Sequence, residues 1–190
     1  MIEAFSNLAS AFGLSASAGL NAYLPLLVVA RTARFTPLIR LRAPFDVLTN
    51  GWVILVIVVL LAIEIVADKV PVVDSVNDIV QTVIRPLAGA ILFAAAANVI
   101  TDIHPVLAMI CGVIVAGGVH AVKATVRPAI TATTGGVLNP VVSTAEDAVS
   151  AVVSVLSIVL PALVAAIAVA ALLGFVLWRR SRRSRSTLGA

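Results

Sequence analysis

The residues able to do chemistry in this chain are Glu64, Asp68, Lys69, Asp74, Arg85, His120, Lys123, Glu146 and Asp147, with the amides of Asn21 and Asn139 beside them. Their spacing is helical. Glu64 and Asp68 stand at i and i+4, and His120, Lys123 and Arg127 at i, i+3 and i+7, so each set shares one helix face. Asp74, Asp78 and Arg85 form a further stripe if their stretch is helical, although Pro71 limits where such a helix can start. Mixed acids, bases and an imidazole suit the relay of a proton or the binding of a small charged solute between helices. A hard divalent cation fits less well, because Lys69, Arg85, Lys123 and Arg127 compete for the same carboxylates. The chain has no hydrolase triad, phosphate-binding glycine loop or zinc spacing, and Gly135-Gly136 reads as a turn. The expectation is a protein that is not an enzyme and needs no metal or cofactor.

Plainer roles compete for the same residues. Asp68, Lys69, Asp74 and Asp78 fit the headgroup layer, where charge costs little. Glu146 and Asp147 suit a helix N-terminus, Arg85 and Arg127 suit snorkelling anchors, and His120 suits neutral packing. Glu64 differs. A dozen apolar residues precede it and Ile65, Val66 and Ala67 follow, so a paired or functional carboxyl is expected there.

The elements that must position these groups are apolar spans. Residues 152–178 run without a charge, long enough to cover a hydrocarbon slab of roughly 30 Å at about 1.5 Å per residue. The chain is 61% hydrophobic and 12% charged, with mean hydropathy +1.14, too apolar for a soluble surface. Five spans are expected in an all-α polytopic transmembrane helix bundle. They cover about 4–30, 51–67, 86–100, 105–122 and 148–178, with polar connections at 68–85 and 123–147 and a basic tail at 179–190. Residues 1–178 then form one transmembrane domain. Gly13, Gly19, Pro25 and a run of small residues leave the first span either a tightly packed helix or a broken, re-entrant one. Asp102 is placed to cap the fourth span and Pro105 to start it, and Pro161 should kink the fifth.

Nine of the thirteen basic residues lie in two clusters, Arg31 to Arg42 and Arg179 to Arg185. Five spans put both clusters on one side, giving an inner-membrane protein with a cytoplasmic C-terminus. The N-terminus is then outside, or inside if the first span is re-entrant. Nucleic-acid binding is not expected, because these cations flank spans and do not cover a folded surface. The N-terminus lacks a basic n-region, so no cleaved signal is expected, and the single Cys111 excludes an intrachain disulfide. A weak echo of Val80–Pro86 in Val122–Pro128 reads as chance in so apolar a chain.

Four blocks carry a resemblance: Ser17-Ala-Gly-Leu-Asn-Ala-Tyr-Leu-Pro25, Glu64-Ile-Val-Ala-Asp-Lys-Val-Pro-Val-Val-Asp74, Ile84-Arg-Pro-Leu-Ala-Gly89 with His120-Ala-Val-Lys123, and Asn139-Pro-Val-Val-Ser-Thr-Ala-Glu-Asp147. Together they resemble the domain-of-unknown-function 4126 family of small bacterial membrane proteins. The resemblance implies the membrane class and a family pattern densest at the polar blocks. It implies no activity.

The resulting expectation is a small transporter or permease for a polar or charged solute, proton-coupled, with Glu64 as carrier and His120 or Lys123 as its partner. Its partners would be the lipid bilayer, the solute, and a second copy or a membrane complex. The alternative is a non-catalytic scaffold or accessory subunit whose charges pair internally.

Overall fold

The computed structural model describes residues 2–68, 71–97 and 103–187, with the side chains at 2, 71–76, 78, 176 and 178–187 outside the described set. Among the described residues the architecture is all-α: α1 (Ile2–Leu20), α2 (Tyr23–Phe35), a 3-10 turn (Phe45–Thr49), α3 (Gly51–Ala67), α4 (Pro71–Ala97), α5 (Pro105–Thr134), α6 (Asn139–Val159) and α7 (Pro161–Thr187). Ile79–Ala97, Pro105–Thr134 and Asn139–Val159 are long and apolar enough to cross a bilayer, and Gly51–Ala67 and Pro161–Phe175 are shorter apolar helices. Outward faces carry Ile79, Val83, Ile114, Val122, Val152 and Leu172, all exposed, while Glu64, Arg85, Gln81 and four serines of α6 are buried. An apolar exterior around a polar interior is the arrangement that lipid, acting as solvent, selects. The chain is a membrane protein.

α1 is the central helix. It packs on α4 and α5 on one side and on α6 and α7 on the other. Small residues allow this closeness: Ser15 Oγ donates to Gly112 O at 2.9 Å, and a Cβ on Gly112 would overlap the backbone of Gly89. α6 runs antiparallel to α1, with Ser17 opposite Ser154 and Ser10 opposite Ser157. α7 does not prolong the course of α6: after the break at Leu160, Val164 returns to the level of Ser157, and both lie against Gly13.

The first apolar span is broken. α1 stops at Leu20 and α2 starts at Tyr23, with Asn21 Oδ1 accepting from the backbone N–H groups of Tyr23 and Leu24 at 3.0 and 2.9 Å. α2 has only 13 residues, about 20 Å, too short to cross the hydrocarbon core. Pro37 to Arg40 share a cavity wall with Ser6, Asn7 and Ser10 near the start of α1. Five residues from Phe35 to Arg40 reach at most ~17 Å, so α2 must turn back along α1. The two helices form a re-entrant hairpin with its tip at Asn21-Ala22, and both residues of the tip are buried. The N-terminus therefore shares an end of the bundle with the arginine-bearing 31–42 region, as the re-entrant alternative requires and the N-outside one does not.

Other expectations need correction. The supposed polar connection at 68–85 is mostly the first half of α4, which runs through Pro86 without a break. The connection at 123–147 shrinks to residues 135–138, where Gly135 and Gly136 take left-handed φ values of 61° and 82° between α5 and α6. The fifth span is two helices and begins at Asn139. Leu160, held out of helical conformation ahead of Pro161, separates them with φ −135° and ψ 59°. Asp102 lies outside the described residues. His104 caps α5, its Nδ1 accepting from Val106 N at 3.3 Å.

Candidate functional site

α3, α4 and α5 bring Glu64, Arg85 and His120 into one buried chain. Arg85 Nη2 meets Glu64 Oε1 at 3.2 Å, with side-chain exposures of 0% and 1%, so bulk water does not screen the pair. Arg85 Nη1 lies 3.1 Å from His120 Nδ1, and His120 Nε2 lies 3.1 Å from Thr82 Oγ1. A guanidinium can only donate, so Nδ1 accepts, and the neutral ring carries its proton on Nε2, facing Thr82. Glu64 thus does join His120, but through Arg85 and not directly. The other Glu64 oxygen, Oε2, and Gln81 Oε1 are buried acceptors that no donor reaches among the described residues.

A second cluster closes around the hairpin tip. Lys123 Nζ donates to Leu20 O at 3.3 Å, answering a free carbonyl at the C-terminus of α1, and pairs with Glu146 Oε2 at 2.8 Å. Arg127 Nη1 approaches the same carboxylate at 3.9 Å. Asn21 Nδ2 donates to Asp147 Oδ1 at 2.9 Å while its Oδ1 caps α2. The partly positive start of α2 therefore faces a carboxylate through one amide. Asp68 accepts from Asn77 Nδ2 at 2.8 Å and from Ser143 Oγ at 2.7 Å, which ties α3, α4 and α6 together. Asn139 Oδ1 accepts from Thr131 Oγ1 at 3.1 Å across the α5–α6 turn, so it belongs to the turn and stands apart from the tip.

Of the residues expected to form the site, Glu64, Asp68, Arg85, His120, Lys123, Asn21, Glu146 and Asp147 gather at one level of the bundle. Lys69 lies outside the described residues, as does the side chain of Asp74. Arg127, weighed as an anchor, is 5% exposed and packs into the cluster. Asn77, Gln81, Thr82 and Ser143 were missed. Asn77, Gln81 and Arg85 repeat every four residues, a signal that becomes legible once 71–85 is recognised as helix.

This chain matches the family described as Domain of unknown function (DUF4126) over residues 8–181. It belongs to the DUF4126 family. No curated protein and no solved structure matches it. The match extends from α1 into α7 and so takes in both the hairpin and every charged pair described above.

The depth of the tip decides what these groups can do. α5 continues about 16 Å past Lys123 to Thr134, and α6 begins about 12 Å before Asp147. The tip and its charges therefore sit well inside the bundle, below the turn at 135–138. Charges at such depth are rare in lipid unless paired or functional, and these are paired in a way that joins five helices.

Proposed function

We propose that this protein is a proton-coupled permease for a small polar or charged solute, set in the inner membrane with its C-terminus cytoplasmic. The observation that carries the reading is the re-entrant hairpin whose capped tip meets a buried ion cluster. Interrupted helices that end at mid-membrane polar sites are how secondary transporters expose backbone dipoles to solute. The charge balance agrees. Glu64, Asp68, Glu146 and Asp147 set four carboxylates against the three fixed cations Arg85, Lys123 and Arg127 among the described side chains. One proton restores neutrality. Glu64 is the natural carrier, because protonation of Oε2 supplies a donor where two buried acceptors have none. Four arginines in the 31–42 region and five in the 179–185 tail support the orientation through the positive-inside bias. Catalysis has no part in this reading, and a second copy of the chain could supply further walls for the pathway.

One observation favours the alternative of a scaffold or accessory subunit: Lys123 and Asn21 satisfy the two broken helix ends of the hairpin, which is a structural duty. Reconstitution separates the two. Purified protein in liposomes loaded with a pH-sensitive dye should dissipate an imposed proton gradient faster than empty liposomes. Glu64→Gln, nearly isosteric and still able to accept from Arg85, should lower that rate at least tenfold with an unchanged elution volume. A wild-type rate equal to that of empty liposomes would sink the permease reading, and loss of a co-purifying partner in the same variant would favour the scaffold.

A further inference from the structure

At the opposite end of the bundle from the ion cluster, a cavity of about 340 Å³ opens between the two arms of the hairpin. That volume is at the small end of the roughly 300–1,000 Å³ of ligand sites. Its walls come from α1, the 37–40 segment, α4 and α6. Leu14 and Ile158 supply apolar surface, and Ser6, Asn7, Ser10 and Arg40 supply polarity. Among its described lining residues Arg40 is the only charged one, and none is a carboxylate. The Ser10 hydroxyl is committed to Ser157 O at 2.6 Å, and the other polar lining residues, Ser6, Asn7 and Arg40, carry a hydroxyl, an amide and a guanidinium able to donate.

We infer that this cavity is the inward-facing binding site for a small oxyanion, a carboxylate or a phosphate, held by Arg40 and by the Asn7 and Ser6 donors. The inference rests on the permease reading and deepens it by naming the class of solute. A pocket with one guanidinium and two neutral donor residues, and no acid among its described lining residues, discriminates against cations and favours a planar or tetrahedral oxyanion. Arg31, Arg34 and Arg42 lie on the same part of the chain and raise the local potential that draws an anion in. A separate cavity of about 330 Å³ lies at the other end, lined by Lys123, Arg127 and Glu146, whose carboxylate there makes it a poorer seat for an anion.

The test is thermal unfolding of the purified full-length chain in detergent, at constant ionic strength, titrated with acetate, inorganic phosphate, glycerol and ammonium. Acetate or phosphate should raise the melting temperature saturably, and glycerol and ammonium should not. Arg40→Gln should weaken the apparent affinity at least tenfold, Arg40→Lys should keep most of it, and Asn7→Ala should lower it several-fold. An anion response that is absent, or unchanged in both Arg40→Gln and Asn7→Ala, overturns the inference. A phosphatidylglycerol titration that gives the Arg40-dependent shift while acetate and phosphate give none also overturns it, since the ligand is then a lipid headgroup. Flux in liposomes without anion binding removes this inference alone. Arg40-dependent binding without flux supports it and removes the transport reading.

Discussion

Glu64 and Arg85 show what a single pair must do at this depth. Both are fully buried, and each charge left alone in such surroundings would cost several kcal/mol. Arg85→Leu therefore should destabilise the protein by on the order of 3–5 kcal/mol, because it strands the Glu64 carboxylate. The double variant Glu64→Leu with Arg85→Leu should recover most of that loss, since two apolar side chains of similar volume remove both desolvation penalties. Thermal or SDS-induced unfolding measures the difference, and a double variant no more stable than Arg85→Leu would contradict the pairing. Glu64 itself was legible in the sequence because its neighbours are apolar on both sides. Its partner was not. Pairing 64 with 85 requires α3 and α4 to fold back on each other, and spacing along the chain carries no trace of that reversal.

At the scale of elements, the hairpin of α1 and α2 depends on one residue. Asn21 caps two backbone N–H groups of α2 and reaches Asp147 with its remaining donors. Asn21→Leu keeps the volume and loses all three hydrogen bonds. A lost cap alone costs about 1 kcal/mol, and the Asp147 carboxylate then loses a partner as well. The variant should melt measurably lower than Asn21→Asp, which preserves the cap but places a second negative charge beside Asp147, so both should fall below wild type. Equal melting of Asn21→Leu and wild type would show that the tip is not held by its amide. The sequence left this span open between an intact and a broken helix, because glycine, proline and small residues serve either. Residues 71–85 were misread for a related reason. Their polar positions looked like a water-exposed link, whereas Gln81 and Arg85 are buried, the half-buried Asn77 reaches Asp68, and Ile79, Val80 and Val83 face outward. In lipid the polar stripe marks the buried face, so the usual sense of amphipathicity is reversed. Pro71 at the start and Pro86 within α4 encouraged the same error, since proline ordinarily punctuates a helix.

For the whole molecule, the number of apolar runs fixes less than their directions do. α1 and α2 enter and leave at one end, α3 and α4 form the next reversal, α5 returns, and α6 runs back antiparallel to α1. The start of α1 therefore lies at the end that holds the 37–40 segment, and the 135–138 turn lies at the other. A helix count alone, taking every span as crossing, separates the termini. Single cysteines on a Cys111→Ala background decide between these arrangements. Cysteine at Glu3 and cysteine added after Ala190 should resist a membrane-impermeant maleimide in intact cells and react after lysis. Val137→Cys, at an exposed position of the turn, should react from outside. If Glu3→Cys and Val137→Cys label from the same side, α1 crosses fully and the hairpin cannot stand. The arginine distribution does not choose between them, because residues 1–30 carry no Lys or Arg and only the side of the N-terminus differs, so the label at Glu3→Cys carries the decision.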